Sequence, residues 1–196
     1  MTRLVSVRIA FVALAAVPGL ALAHTGAASH VHTAAEALAA GFTHPFTGLD
    51  HLAAMVALGV WSALATKRIW VAPLAFASAL LVGALLGLAE FALPAIEPMI
   101  AASVLVLGLL VATNARLPLA AGALLAAGFA LFHGVAHGAE LAGPQAAWSL
   151  IGMVSATALL HGAGLALGKL LQQRSVWVPR VAGAAVALFG ASLLVA

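Results

Sequence analysis

Six apolar runs make up most of this chain, at residues 47–65, 70–91, 96–112, 117–141, 146–171 and 178–195. A helix needs about 20 apolar residues to cross a bilayer, and each run is close to that length. The connections are short and hold the breakers: Pro94 and Pro98, Asn114 and Pro118, Gly143 and Pro144, Pro179. No stretch is left for a soluble domain. The charge inventory agrees, with 8 Lys and Arg and 5 Asp and Glu among 196 residues. A soluble domain carries roughly a quarter charged residues, so this chain cannot cover a globular surface with polar groups. The expected fold is all-α, a polytopic membrane protein with six transmembrane helices, and its first partner is the lipid bilayer. A soluble enzyme is excluded, and the cations are too dispersed for a nucleic-acid patch. The absence of cysteine removes disulfides, thiolate metal sites and a Cys nucleophile.

The first 23 residues read as a cleavable signal peptide. Arg3 and Arg8 precede a short apolar stretch, Pro18 and Gly19 break it, and Ala21-Leu22-Ala23 is an A-x-A-like site. The expected domain plan is therefore a signal peptide at 1–23 and one six-helix transmembrane domain at 24–196, opening with a short periplasmic segment. Orientation follows from the cations. Lys67 and Arg68, Arg116, and Lys169, Arg174 and Arg180 fall in alternate connections, whereas 92–95 and 142–145 have none. The cationic side is expected to be cytoplasmic, which puts the mature N-terminus in the periplasm and the protein in a bacterial inner membrane.

Histidine is the outlying residue type, with 8 in the chain. The stretch 44–51 reads His-Pro-Phe-Thr-Gly-Leu-Asp-His and leads into the first apolar run. Pro45 and Gly48 predict a broken helix start, tolerated at membrane depth where it lines a cavity. An ionised Asp50 in a span costs about 2.5–3.5 kcal/mol. A bound cation would offset that. Helix capping by Thr47 or Asp50 explains Asp50 equally well but not the flanking His44 and His51.

The second stretch, 132–140, reads Phe-His-Gly-Val-Ala-His-Gly-Ala-Glu and ends the fourth run. His133 and His137 are four residues apart and Glu140 follows three later, so all three share a helix face. Two imidazoles and a carboxylate make a nitrogen–oxygen donor set for a borderline cation, and the intervening glycines keep that face open to a neighbouring helix. The first run starts, and the fourth ends, on the outer side, so the two stretches are expected to meet. Gly83-x-x-x-Gly87 and Gly164-x-x-x-Gly168 are expected packing contacts.

His161 lies about 15 residues into the fifth run, roughly 22 Å along the helix. A second station on a path and a hydrogen bond to a neighbouring span account for it equally. Ser155 and Thr157 are expected to bond helix backbone. His24, if it follows the cleavage site, offers an imidazole and a free amine that would chelate Cu(II) or Ni(II). A polar tail with chance histidines accounts for it as well.

The patterns His44-Pro45-x-x-Gly48-x-Asp50-His51 and Phe132-His133-Gly134-x-Ala136-His137-Gly138-x-Glu140 resemble the two signature stretches of the HupE/UreJ family. The six-run pattern and the leader match along essentially the whole chain. Members of that family are taken to be bacterial nickel, sometimes cobalt, permeases associated with hydrogenase or urease. The resemblance implies that His44, Asp50 and His51 form a first-span metal motif and that His133, His137 and Glu140 form a fourth-span one. His161 and His24 lie outside both. The expectation is a non-enzymatic secondary transporter importing Ni²⁺, possibly Co²⁺, with no permanently bound cofactor. A homo-oligomer is compatible with it. Two rivals stay open: a non-transporting metal-binding accessory factor, and a b-type haem protein with paired axial histidines.

Overall fold

The computed structural model describes residues 33–196. The expected signal peptide and His24 lie outside the described residues. Seven helices follow in order: α1 (Ala34–Thr47), α2 (Leu49–Ala65), α3 (Val71–Leu88), α4 (Ile96–Thr113), α5 (Leu119–Glu140), α6 (Ala146–Leu171) and α7 (Trp177–Val195). Helices α3 to α7 are each long and apolar enough to cross a membrane, while α1 and α2 pass that test only as a pair, bent by 80°. This is the architecture of a multi-pass membrane protein, with large apolar side chains such as Leu74, Leu124 and Leu188 exposed around the bundle.

Helix α1 occupies much of the segment expected to precede the first span. Its start is a capping box: Thr33 Oγ accepts from the Glu36 N–H at 3.2 Å, and Glu36 Oε2 accepts from the Thr33 N–H at 3.0 Å. Gly48 joins α1 to α2 in an extended conformation, which is the break that Pro45 and Gly48 predict. Neither Thr47 nor Asp50 caps α2, whose N-cap is Gly48 without a side-chain bond.

Small residues set the helix pairing. With few hydrophobic gains available between spans, close backbone approach supplies van der Waals contact instead. Gly83 and Gly87 of α3 lie against Gly134 and Gly138 of α5, rising together along the two chains, so the helices run parallel. Gly59 of α2 faces Gly164 of α6, and Gly168 faces Val60 and Ala63, again in parallel register. Gly108 of α4 meets Ala187 and Gly183 of α7, while Gly190 meets Leu105, an antiparallel crossing. Gly41 of α1 sits on the Ser149 backbone and Gly152 of α6 on that of Leu38 and Phe42.

These pairings gather the connections at 66–70, 114–118 and 172–176 at one end of the bundle. Two hydrogen bonds tie that end together: Trp61 Nε1 donates to the Ala115 carbonyl at 2.8 Å and Gln172 Nε2 to the Ala63 carbonyl at 2.7 Å. It is the end that carries Lys67, Arg68, Arg116 and Arg174. The start of α2 and the end of α5 lie at the other.

Candidate metal centre

Four histidines from three helices converge at that second end. His51 of α2 stands 4.7 Å from His133 and 4.3 Å from His137 of α5, and His44 of α1 stands 4.7 Å from His137, ring centroid to centroid. Glu140 closes the cluster, with Oε2 2.8 Å from His44 Nε2 and 3.8 Å from His137 Nδ1. The two stretches expected to meet do meet. His133 and His137 are buried, and His44, His51 and Glu140 have partly exposed side chains.

Among the described residues, two overlapping groups have the geometry to hold a metal ion: His51, His133 and His137, and His44, His137 and Glu140. Within each group the donor atoms all lie within 4.8 Å of one another. The first group is all imidazole and the second adds a carboxylate. His137 belongs to both. Nitrogen donors with one oxygen suit a borderline divalent ion.

The surrounding polar groups aim the imidazoles. Ser103 of α4, fully buried, gives its single hydroxyl proton to the Ile100 carbonyl at 2.6 Å. Its oxygen therefore accepts from His133 Nε2–H at 2.9 Å, which leaves the lone pair on His133 Nδ1. Asp50 does the equivalent for His51. Its Oδ1 lies 2.8 Å from both His51 Nδ1 and the His51 backbone nitrogen, so the Nδ1 proton faces the carboxylate and the lone pair falls on Nε2. His133 Nδ1, His51 Nε2 and both nitrogens of His137 are buried without a hydrogen-bond partner. A buried polar atom left unpaired costs about 1–3 kcal/mol, so this concentration is a strong departure from ordinary packing. A shared cation would satisfy one nitrogen of each ring.

Asp50 belongs to neither group. It holds His51, as carboxylates behind ligating histidines do. Gly48 makes room for that pair, since a Cβ there would lie 2.9 Å from both Asp50 Oδ1 and His51 Nδ1. His161 is also outside the groups, deeper in α6 with its ring edge-on to Phe76 at 5.2 Å. Ser103 escapes sequence reading because a lone serine in an apolar run carries no pattern. His44 is delivered to the cluster by α1, whose Thr33-x-x-Glu36 signature was available as a helix-start signal. The haem alternative does not fit: imidazoles 4.3–4.7 Å apart leave no space for a porphyrin plane between them.

The Ser103 contact yields a direct prediction. Ser103→Ala is expected to free the His133 tautomer and weaken Ni²⁺ binding about 10- to 100-fold, as loss of partners behind metal ligands does. Asp50→Ala is expected to act similarly through His51. Titration of the purified folded variants with Ni²⁺ checks this. Wild-type affinity in both would show that the two contacts do not orient ligands.

Comparison with known proteins agrees with the resemblance in the two motifs. The family described as HupE / UreJ protein matches residues 12–193. Protein HupE of Rhizobium leguminosarum bv. viciae is 44% identical over 183 residues, covering 92% of this chain and 93% of that one. No solved structure matches.

Proposed function

Because the chain belongs to the HupE/UreJ family, which is linked to nickel and cobalt uptake for hydrogenase and urease, we propose that it is an inner-membrane importer of Ni²⁺, with Co²⁺ as a second cargo. The observation that carries this reading is the sharing of His137 by two donor groups. An ion held first by His44, His137 and Glu140 moves to His51, His133 and His137 by exchanging two ligands while keeping one. It is never released bare into the low-dielectric interior, and neither triad needs to bind irreversibly. Conduction requires this balance of entry and release. The partly exposed His44 and Glu140 receive the ion from the periplasm. The cationic connections at the opposite end lie in the cytoplasm, and the mature N-terminus, after removal of residues 1–23, is periplasmic. Asp50 positions His51, and the metal is cargo, not a resident cofactor.

An inside-negative membrane potential favours entry of a divalent cation by about 5 kcal/mol per 100 mV, twice the value for one charge. Sealed proteoliposomes containing a Ni²⁺-sensitive dye are therefore expected to fill faster under an imposed inside-negative potassium diffusion potential. Co²⁺ should compete, and Mg²⁺ should not, since imidazole is a poor ligand for it. Binding without entry of any cation would instead make the chain a metal-holding accessory factor.

A further inference from the structure

Two buried polar atoms lie deeper than the histidine cluster. His161 of α6 is 2% exposed and its Nε2 has no hydrogen-bond partner. Thr157, four residues earlier and therefore on the same helix face, is fully buried, and its Oγ1 has no partner either. The threonine departs from expectation. A Ser or Thr inside a helix commonly bonds the carbonyl three or four residues back. Ser155 does so to Ile151 at 2.7 Å, and Thr113 to Leu109 at 2.7 Å. Thr157 makes no such bond, although the same backbone geometry offers it one. An unpaired hydroxyl and an unpaired imidazole nitrogen thus share one buried face of α6.

Their position relative to the cluster is defined by Phe76 of α3. Its ring centroid is 5.6 Å from that of His133 and 5.2 Å from that of His161. Along their helices, measured from the cluster end, His133 is about 10 Å in and His161 about 22 Å in, at 1.5 Å per residue. The rings of His44, His137, His51, His133, Phe76 and His161 form an unbroken series of contacts leading inward.

We infer that His161 Nε2 and Thr157 Oγ1 form a second, inner station for the same divalent cation, reached from the histidine cluster past the Phe76 ring. The inference rests on the uptake reading above for its direction but not for the existence of the site. One imidazole nitrogen and one hydroxyl oxygen are a sparse donor set, weaker than either outer triad. That suits an exit station, since an ion passed inward must find weaker binding before release. Thr157 supplies an oxygen without a charge, so the occupied station adds no carboxylate for the ion to leave behind.

The test uses the full-length protein with Ni²⁺ as probe. Thr157→Val keeps the shape and removes the hydroxyl; His161→Leu removes the imidazole. Equilibrium dialysis of purified protein is expected to show one weakly bound Ni²⁺ fewer per chain in each variant, with the tighter sites unchanged. Initial uptake into proteoliposomes is expected to fall at least 10-fold. Wild-type stoichiometry in both variants overturns the inner station, even if uptake slows, because slowing alone is what a packing defect would produce. If His161→Leu does not fold, Thr157→Val carries the test. If the wild type imports nothing, the transport reading fails, and the station still stands or falls on the dialysis count.

Discussion

His137→Ala is expected to abolish high-affinity Ni²⁺ binding and reduce uptake to the rate of empty liposomes. His137 is the one residue common to both donor groups, so its loss leaves two incomplete pairs and no shared ligand for the hand-over. The expected drop in affinity is at least 100-fold, since loss of a mere supporting partner behind a ligand already costs 10- to 100-fold. His44→Ala or Glu140→Gln, which touch only the outer group, should cost less affinity and leave the inner triad able to bind. The stability of the metal-free protein should scarcely move. Removing the ring leaves a cavity, which destabilises, but it also removes two buried nitrogens without hydrogen bonds, whose desolvation costs about 1–3 kcal/mol each. The signature is therefore a thermal midpoint that Ni²⁺ raises in the wild type, by linkage of binding to folding, and leaves unchanged in His137→Ala. A variant that still gains stability from Ni²⁺ would place the principal site elsewhere.

Gly138→Val is expected to fail in the opposite way, by breaking the fold that carries the ligands. A Cβ at Gly138 would collide with the Ala84 carbonyl oxygen of α3 and lie 2.8 to 2.9 Å from its Cα and carbonyl carbon. Those are backbone atoms, so no rotamer change relieves the clash, and α3 must move away from α5. Overpacking of this kind costs about 3 kcal/mol or more, and it carries Phe76 away from His133. The expected result is little folded protein in the membrane and a lowered thermal midpoint in what is recovered. Gly128→Ala is the control. Gly128 sits on the same helix with nothing within 4 Å of its would-be Cβ, so alanine there should be neutral or stabilise by about 0.5–1 kcal/mol through helix propensity. Equal behaviour of the two variants would mean that the α3–α5 contact does not govern folding.

The contrast between these glycines marks how much of the fold is legible in the sequence. The runs at 96–112 and 146–171 correspond almost residue for residue to α4 and α6, because a bilayer imposes length and apolarity on every span. Gly134 and Gly138 were legible as open positions on the ligand face, since their spacing with His133 and His137 is purely local. Which helix fills that opening was not, because α3 and α5 are parallel neighbours joined through α4, and hydropathy does not encode pairing. Ser103 illustrates the same limit. It acts on His133 from thirty residues away, and nothing distinguishes it by sequence from Ser155, which only bonds its own helix. Thr157 resembles Ser155 in sequence and differs from it in space. Helix α1 is another case: at 14 residues it is too short to register as a span, so hydropathy passes over the element that brings His44 to Glu140.

X-ray absorption at the nickel K-edge, on full-length protein loaded with one equivalent of Ni²⁺, bears most directly on where a bound metal is held. Nitrogen neighbours at about 2.1 Å, a usual metal–imidazole distance, with the outer-shell scattering of at least two imidazole rings, are the expected result, lost in His137→Ala. A shell of oxygen alone, identical in the wild type and the variant, would contradict the histidine cluster as the metal centre.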